Sequence, residues 1–166
     1  MTRRRATDDR QLLLQMVEEA YRQPTWNATN LRASLGRVPP ELAAWRPPGG
    51  KRSIADITVH CAYWKYAIGR LLRGGRRGAF EFPGSNWFPS EQPLSPATWS
   101  RYLGLLDEQH RSLCEAIAHS ERPLRLASAA SRSVVRKVFG LAIHDAYHTG
   151  QVHLLKKQWK RTRLAR

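Results

Sequence analysis

Acidic residues are scarce in this chain: 13 Asp and Glu stand against 28 Lys and Arg in 166 residues, a net charge of +15. Cysteine is nearly absent too. Cys61 and Cys114 are too few for a disulfide framework, so two reduced thiols in a cytoplasmic protein are expected. No stretch approaches the ~20 apolar residues that a membrane span needs. The start, MTRRRATDDRQLLLQMVEEAY, is basic, but the apolar stretch after it is short and carries acids, which excludes a signal peptide. No internal repeat or long low-complexity tract is present, and the length suits one domain covering residues 1–166.

A basic chain points towards nucleic acid or another anionic surface. Here, however, the charge sits at the ends and in one loop. Arg3, Arg4 and Arg5 open the chain, Arg73, Arg76 and Arg77 lie in a Gly-rich segment, and Lys156, Lys157, Lys160, Arg161, Arg163 and Arg166 close it. No basic stripe is interleaved with aromatics at base-stacking spacing. Solvated ends are the expectation, with 1–6 and 161–166 as flexible basic tails. Nucleic-acid binding stays open as the weaker alternative.

Pro and Gly clusters cut the chain into four helical blocks. Thr7 can N-cap a first helix carrying the stripe Leu12, Leu13, Met16, Val17, Ala20 and Tyr21. A second piece of it is expected from Thr25 to Gly36. A connector with one short turn follows. Ser53, with Asp56 three residues on, then opens a second long helix through a capping-box variant. RGGRRGAFEFPGSNWFPSEQPL reads as a long loop in which GAFEF can make a short extended piece. Ser95 caps the third helix, with Pro96 at its first position, and that helix runs to about His119. The last spans roughly Arg132 to Trp159. The expectation is an all-α fold, a four-helix bundle with a long crossover loop between helices two and three.

Histidines carry the chemical signal. On the last helix His148 lies about 40° from His144 and Gln151 about 20° the other way, all on the apolar stripe with Leu141 and Leu155. His153 falls on the opposite side. Buried imidazoles need partners. They are either hydrogen-bonded core histidines or two ligands gripping one cation from one side of a helix. On the second helix His60 stands in the otherwise apolar stripe Ile57, Trp64, Ala67 and Leu71. One histidine there and two on the last helix would make a three-nitrogen site with an open face, the layout of a catalytic metal centre. His110 and His119 read as exposed or locally bonded. The segment His144-Asp145-Ala146-Tyr147-His148 is close to a zincin motif. No acid or inward histidine follows it as a third ligand, though, and no strand is seen to hold a peptide, which weighs against a metalloprotease.

With those residues placed, the chain resembles the DinB/YfiT-like superfamily from about residue 8 to 160. GGKRSIADITVHCAYWKYAIGRLL is similar to the family's second helix, with His60 and Trp64 in an H-x-x-x-W pattern. LAIHDAYHTGQVHLLKK is similar to its last helix, H-D-x-Y-H-x-G-Q. PTWNATNLRASLGRVPPELAAWRP resembles the end of helix one and the connector. The resemblance implies an up-down-down-up four-helix bundle in which His60, His144 and His148 bind a divalent metal, zinc or nickel first, with iron or manganese as further choices. It also implies possible homodimers, a link to stress response in damage-induced members, and a small-molecule substrate. Members with assigned chemistry are thiol-dependent transferases and isomerases using low-molecular-weight thiols.

The remaining motif residues keep open roles. Asp145 either orients a ligand imidazole or pairs with an arginine. Tyr147 packs or turns its hydroxyl to the pocket. Gly150 suggests close helix packing, and Gln151 a bond to a ligand, a water or the backbone. Trp64 is core or a substrate wall, and Trp87 in the loop covers the pocket mouth. A three-His centre suits a thiol S-transferase, through a thiolate, or a hydrolase, through an acidified water. The alternative is a non-catalytic basic bundle binding nucleic acid or a protein partner. Neither cysteine has a visible triad partner.

Overall fold

The computed structural model describes residues 9–26, 28–75, 79–121, 123–125 and 129–164. Among these residues six helices form: α1 Arg10–Tyr21, α2 Leu31–Ser34, α3 Pro40–Ala44, α4 Ile54–Leu72, α5 Pro96–Ala118 and α6 Ala129–Leu164. There is no strand among the described residues, GAFEF included. No helix among the described residues is long and apolar enough to cross a membrane.

The expected start signals act where the sequence puts them. Ser53 Oγ accepts from Asp56 N–H, and the Asp56 carboxylate accepts from Ser53 N–H, closing the capping box of α4. Arg46 grips the same carboxylate at 2.9 Å, and Ser90 N–H donates to it at 2.7 Å, which ties the connector and the long loop to the start of α4. Ser95 Oγ caps α5 above Pro96. Thr7 and the arginines at 3–5 and 76–77 lie outside the described residues.

The piece expected from Thr25 to Gly36 is a correction. Ala28 takes a φ of +59°, and the helix begins only at Leu31, where the Asn30 side chain accepts from Ala33 N–H. Asparagine is among the strongest N-caps, so it outcompetes Thr25 as a start. At the other end α6 continues through Leu164. The Lys156 ammonium there donates to the Ser34 and Gly36 carbonyls at the C-terminal end of α2, so part of the basic end is structural.

α4 is the central element. It packs on α3, α5 and α6, while α1 packs on α5 and α6. Two apolar clusters fill the interior. One holds Ile57, Cys61, Trp99, Leu106 and Val152. The other holds Leu13, Ile68, Leu113, Val138 and Leu141. Between them, along α4, α5 and α6, comes a belt of buried polar residues: Lys65, His110, Asp145 and His148. Polar groups at that depth need partners or a ligand.

Candidate metal centre

α4 and α6 bring three imidazoles together at this belt. His144 Nε2 stands 2.9 Å from His60 Nε2 and 3.1 Å from His148 Nε2. The outer nitrogens of two rings are committed elsewhere. His60 Nδ1 lies 2.6 Å from the Asn86 backbone carbonyl, an acceptor, so it carries the proton. His148 Nδ1 lies 2.7 Å from Gln151 Oε1. Gln151 donates its amide N–H to the Tyr147 hydroxyl, which leaves its carbonyl oxygen to accept from His148. Both Nε2 atoms therefore present lone pairs inward. His144 Nδ1 is buried without a partner.

This donor set fits a cation. A proton on His144 Nε2 can serve only one of the two facing lone pairs, whereas a single metal ion takes all three nitrogens. Ligand nitrogens about 2.0–2.1 Å from a common ion stand roughly 3 Å apart, the spacing seen here. The rings are also held neutral, as ligands must be. Burial lowers the pKa of all three, His144 to about 3 and His148 to about 4, with the neighbouring rings adding to the effect on both.

Neutral burial has a consequence for stability. An unfolded imidazole titrates near ~6.5, so the unfolded chain takes up these protons before the folded chain does as the pH falls. The stability they contribute is complete above about 6.5 and is lost between there and the folded values near 3 to 4. In excess chelator, the urea midpoint is expected to be lower at about pH 5 than at about pH 7.5. A midpoint that holds level or rises would contradict neutral burial of the cluster.

The long loop closes one side of the cluster. Trp87 stacks on His60 with ring centroids 3.8 Å apart and planes 6° from parallel, as expected of a residue covering the site. The Arg52 guanidinium lies 4.3 Å over the outer face of Trp87. Asn86 was not visible in the sequence as a site residue. It takes a φ of +68°, which asparagine tolerates, and its side chain accepts from Trp64 Nε1–H at 3.1 Å. Trp64 is thus half-buried beside the site rather than deep in the core.

Several expected roles change. Asp145 pairs with Lys65, not with an arginine, and both are essentially fully buried. Burial raises the Asp145 carboxyl pKa, and the lysine opposes that rise. Tyr147 is 62% exposed and touches the site through its hydroxyl bond to Gln151 and an edge contact of its ring with His148, centroids 5.1 Å apart. Gly150 does not mark a close helix contact, because a Cβ there would meet nothing within 4 Å. His153 is at the surface, bonded to Thr29. His110 is not exposed: it is fully buried, stacked on Tyr21 and 3.3 Å from Glu18.

A family model described as the DinB superfamily matches residues 23–152, most of the chain and all three histidines. The chain belongs to the DinB superfamily. No curated protein and no solved structure matches it. For this DinB-superfamily chain, membership and the three-histidine cluster together point to a divalent metal.

Proposed function

We propose that this protein is a metal-dependent enzyme acting on a small molecule, built as a four-helix bundle from α1, α4, α5 and α6, with His60, His144 and His148 holding one divalent ion, zinc or nickel first. The observation that supports it most is the convergence of three Nε2 atoms whose outer partners turn two lone pairs inward. Among the described residues no fourth ligand atom groups with all three, Cys61 and Asp145 grouping with His144 alone, and an open position is the mark of a catalytic rather than a structural site.

Bound there, the ion supplies a Lewis acid that lowers the pKa of a thiol or water. The chain's own groups do the rest. Asn86 and Gln151 fix ring orientation and tautomer, and Trp87 keeps water from one face of His60. Asp145, the carboxylate grouped with His144, is 1% exposed and neutralised by Lys65, so it is withheld from a general-base role towards substrate. A thiol nucleophile ionises far more readily than water and needs less help from a base. That favours thiol-dependent transfer to an electrophile over hydrolysis.

The test is to incubate zinc- or nickel-loaded protein with low-molecular-weight thiols and a panel of small electrophiles, following thiol consumption. Turnover with metal and none in chelator is expected. Equal rates in both would sink the reading. Removing the outer partner of a ligand histidine typically costs 10- to 100-fold in metal affinity or activity. Gln151→Ala is accordingly expected to weaken metal binding within that range by chelator competition, with little effect on melting. Unchanged affinity would remove Gln151 from the site.

A further inference from the structure

A second group of metal-ligand chemistry lies between α1 and α5. His110 and Cys114 sit four residues apart on one face of α5, as His144 and His148 do on α6. Glu18 meets them from α1 as His60 meets the other pair from α4. The three contacts form a small triangle. His110 Nε2 is 3.3 Å from Glu18 Oε1, Cys114 Sγ is 3.4 Å from the same oxygen, and Sγ is 3.5 Å from Nε2. Nitrogen, oxygen and sulfur donors about 2.0–2.3 Å from one tetrahedral ion stand roughly 3.3–3.6 Å apart.

As protein alone, Glu18 Oε1 can accept from both His110 Nε2–H and the Cys114 thiol, while His110 Nδ1 is buried without a hydrogen bond. One nitrogen of His110 faces both an acid and a thiol, so it is not the middle of a relay in which each ring nitrogen serves one neighbour. The thiol is also a weak donor and acceptor. Nor is the thiol an activated nucleophile. Burial and the Glu18 carboxylate push Cys114 up to about 12. Arg22 holds the Glu18 carboxylate from outside through two hydrogen bonds of 2.8 and 3.0 Å, fixing its direction and, as the leading cause, lowering its pKa to about 2. His110 is kept neutral by burial, at about 3. The result is an ionised carboxylate, a neutral imidazole and a thiol on one small face. His110 is fully buried, while Glu18 and Cys114 are only half-buried and reachable from solvent.

We propose that Glu18, His110 and Cys114 form a second divalent-cation site, separate from the three-histidine cluster and selective for a borderline-soft ion of the zinc class. An imidazole, a carboxylate and a thiolate make a donor set that suits such an ion better than magnesium or calcium. Binding replaces the S–H bond of Cys114 with a metal–sulfur bond and releases one proton to solvent. Thiolate and carboxylate then balance the two positive charges. The belt links the two sites: Lys65, the partner of Asp145, stands 4.7 Å over the Tyr21 ring, which stacks on His110 at 4.0 Å.

Cobalt(II) tests this directly, since a thiolate ligand gives a near-ultraviolet charge-transfer absorption that a three-histidine centre lacks. The reduced, chelator-stripped, tag-free chain is titrated with cobalt. The expected result is that absorption with about one proton released per ion bound at this site. It should persist in His144→Ala and Cys61→Ser and vanish in Cys114→Ser. Cobalt stoichiometry should fall from two to one per chain in Cys114→Ser. No charge-transfer absorption, with Cys114 shown reduced by thiol titration, would overturn the proposal. Absorption that survives Cys114→Ser would overturn it equally. Because His144→Ala reports on the other cluster, failure of either site is read separately.

Discussion

Asp145→Ala is expected to destabilise the protein by about 3–5 kcal/mol, because it strands the Lys65 ammonium in the interior. At roughly 2–4 °C per kcal/mol for a chain of this size, the melting temperature should drop by roughly 6–20 °C. The pair lies in the belt between the two apolar clusters, at 0% and 1% side-chain exposure. One oxygen of Asp145 is itself buried without a hydrogen bond, so the pair is incompletely satisfied. Buried ion pairs of that kind are often dispensable when both members go together. Lys65→Met combined with Asp145→Leu should therefore recover most of the loss seen in Asp145→Ala. If the single variant melted like the parent, the pair would not be a buried charge pair in solution.

His144→Ala is the second large effect. His144 is the middle donor of the cluster, within 3.1 Å of both other Nε2 atoms. Losing it leaves two nitrogens on different helices and no common focus. Metal affinity should fall by well over ~100-fold, past the range set by an outer partner such as Gln151, and any metal-dependent turnover should go with it. The fold should hold, since removing an imidazole that has no bond at Nδ1 strands no buried charge. Chelator competition alongside circular dichroism separates the two effects. Retained affinity with an intact fold would mean that the three histidines do not share an ion.

Much of this was legible in the sequence because helical periodicity is a local property. The stripe of His144, His148, Leu141 and Leu155 set the inward face of α6, and Ser53 with Asp56 set the start of α4. What depends on how helices face one another was not legible. Lys65 lies on the face of α4 that also buries Cys61, Ile68 and Leu72, not on the expected stripe, whose Leu71 is 38% exposed, and it meets Asp145 there. Glu18, His110 and Cys114 look unrelated until α1 is laid against α5. Asn86 contributes its backbone carbonyl to His60, a role any residue type can play. The one sequence-level hint was its preference for the left-handed turn it occupies. Trp87 was placed over the site by its position in the long loop, and its stack on His60 gives that placement a geometry. The basic chain ends, in contrast, showed charge without showing partners, and Lys156 turned out to spend its charge on carbonyls of its own chain.

The most direct test of the central claim is elemental analysis of tag-free protein purified without added metal, repeated after loading with zinc or nickel and gel filtration. The account predicts a tightly held divalent ion at the three-histidine cluster, read as about one ion per chain in Cys114→Ser and lost when His144→Ala is added to it. No ion in the purified protein and none retained after loading would contradict it.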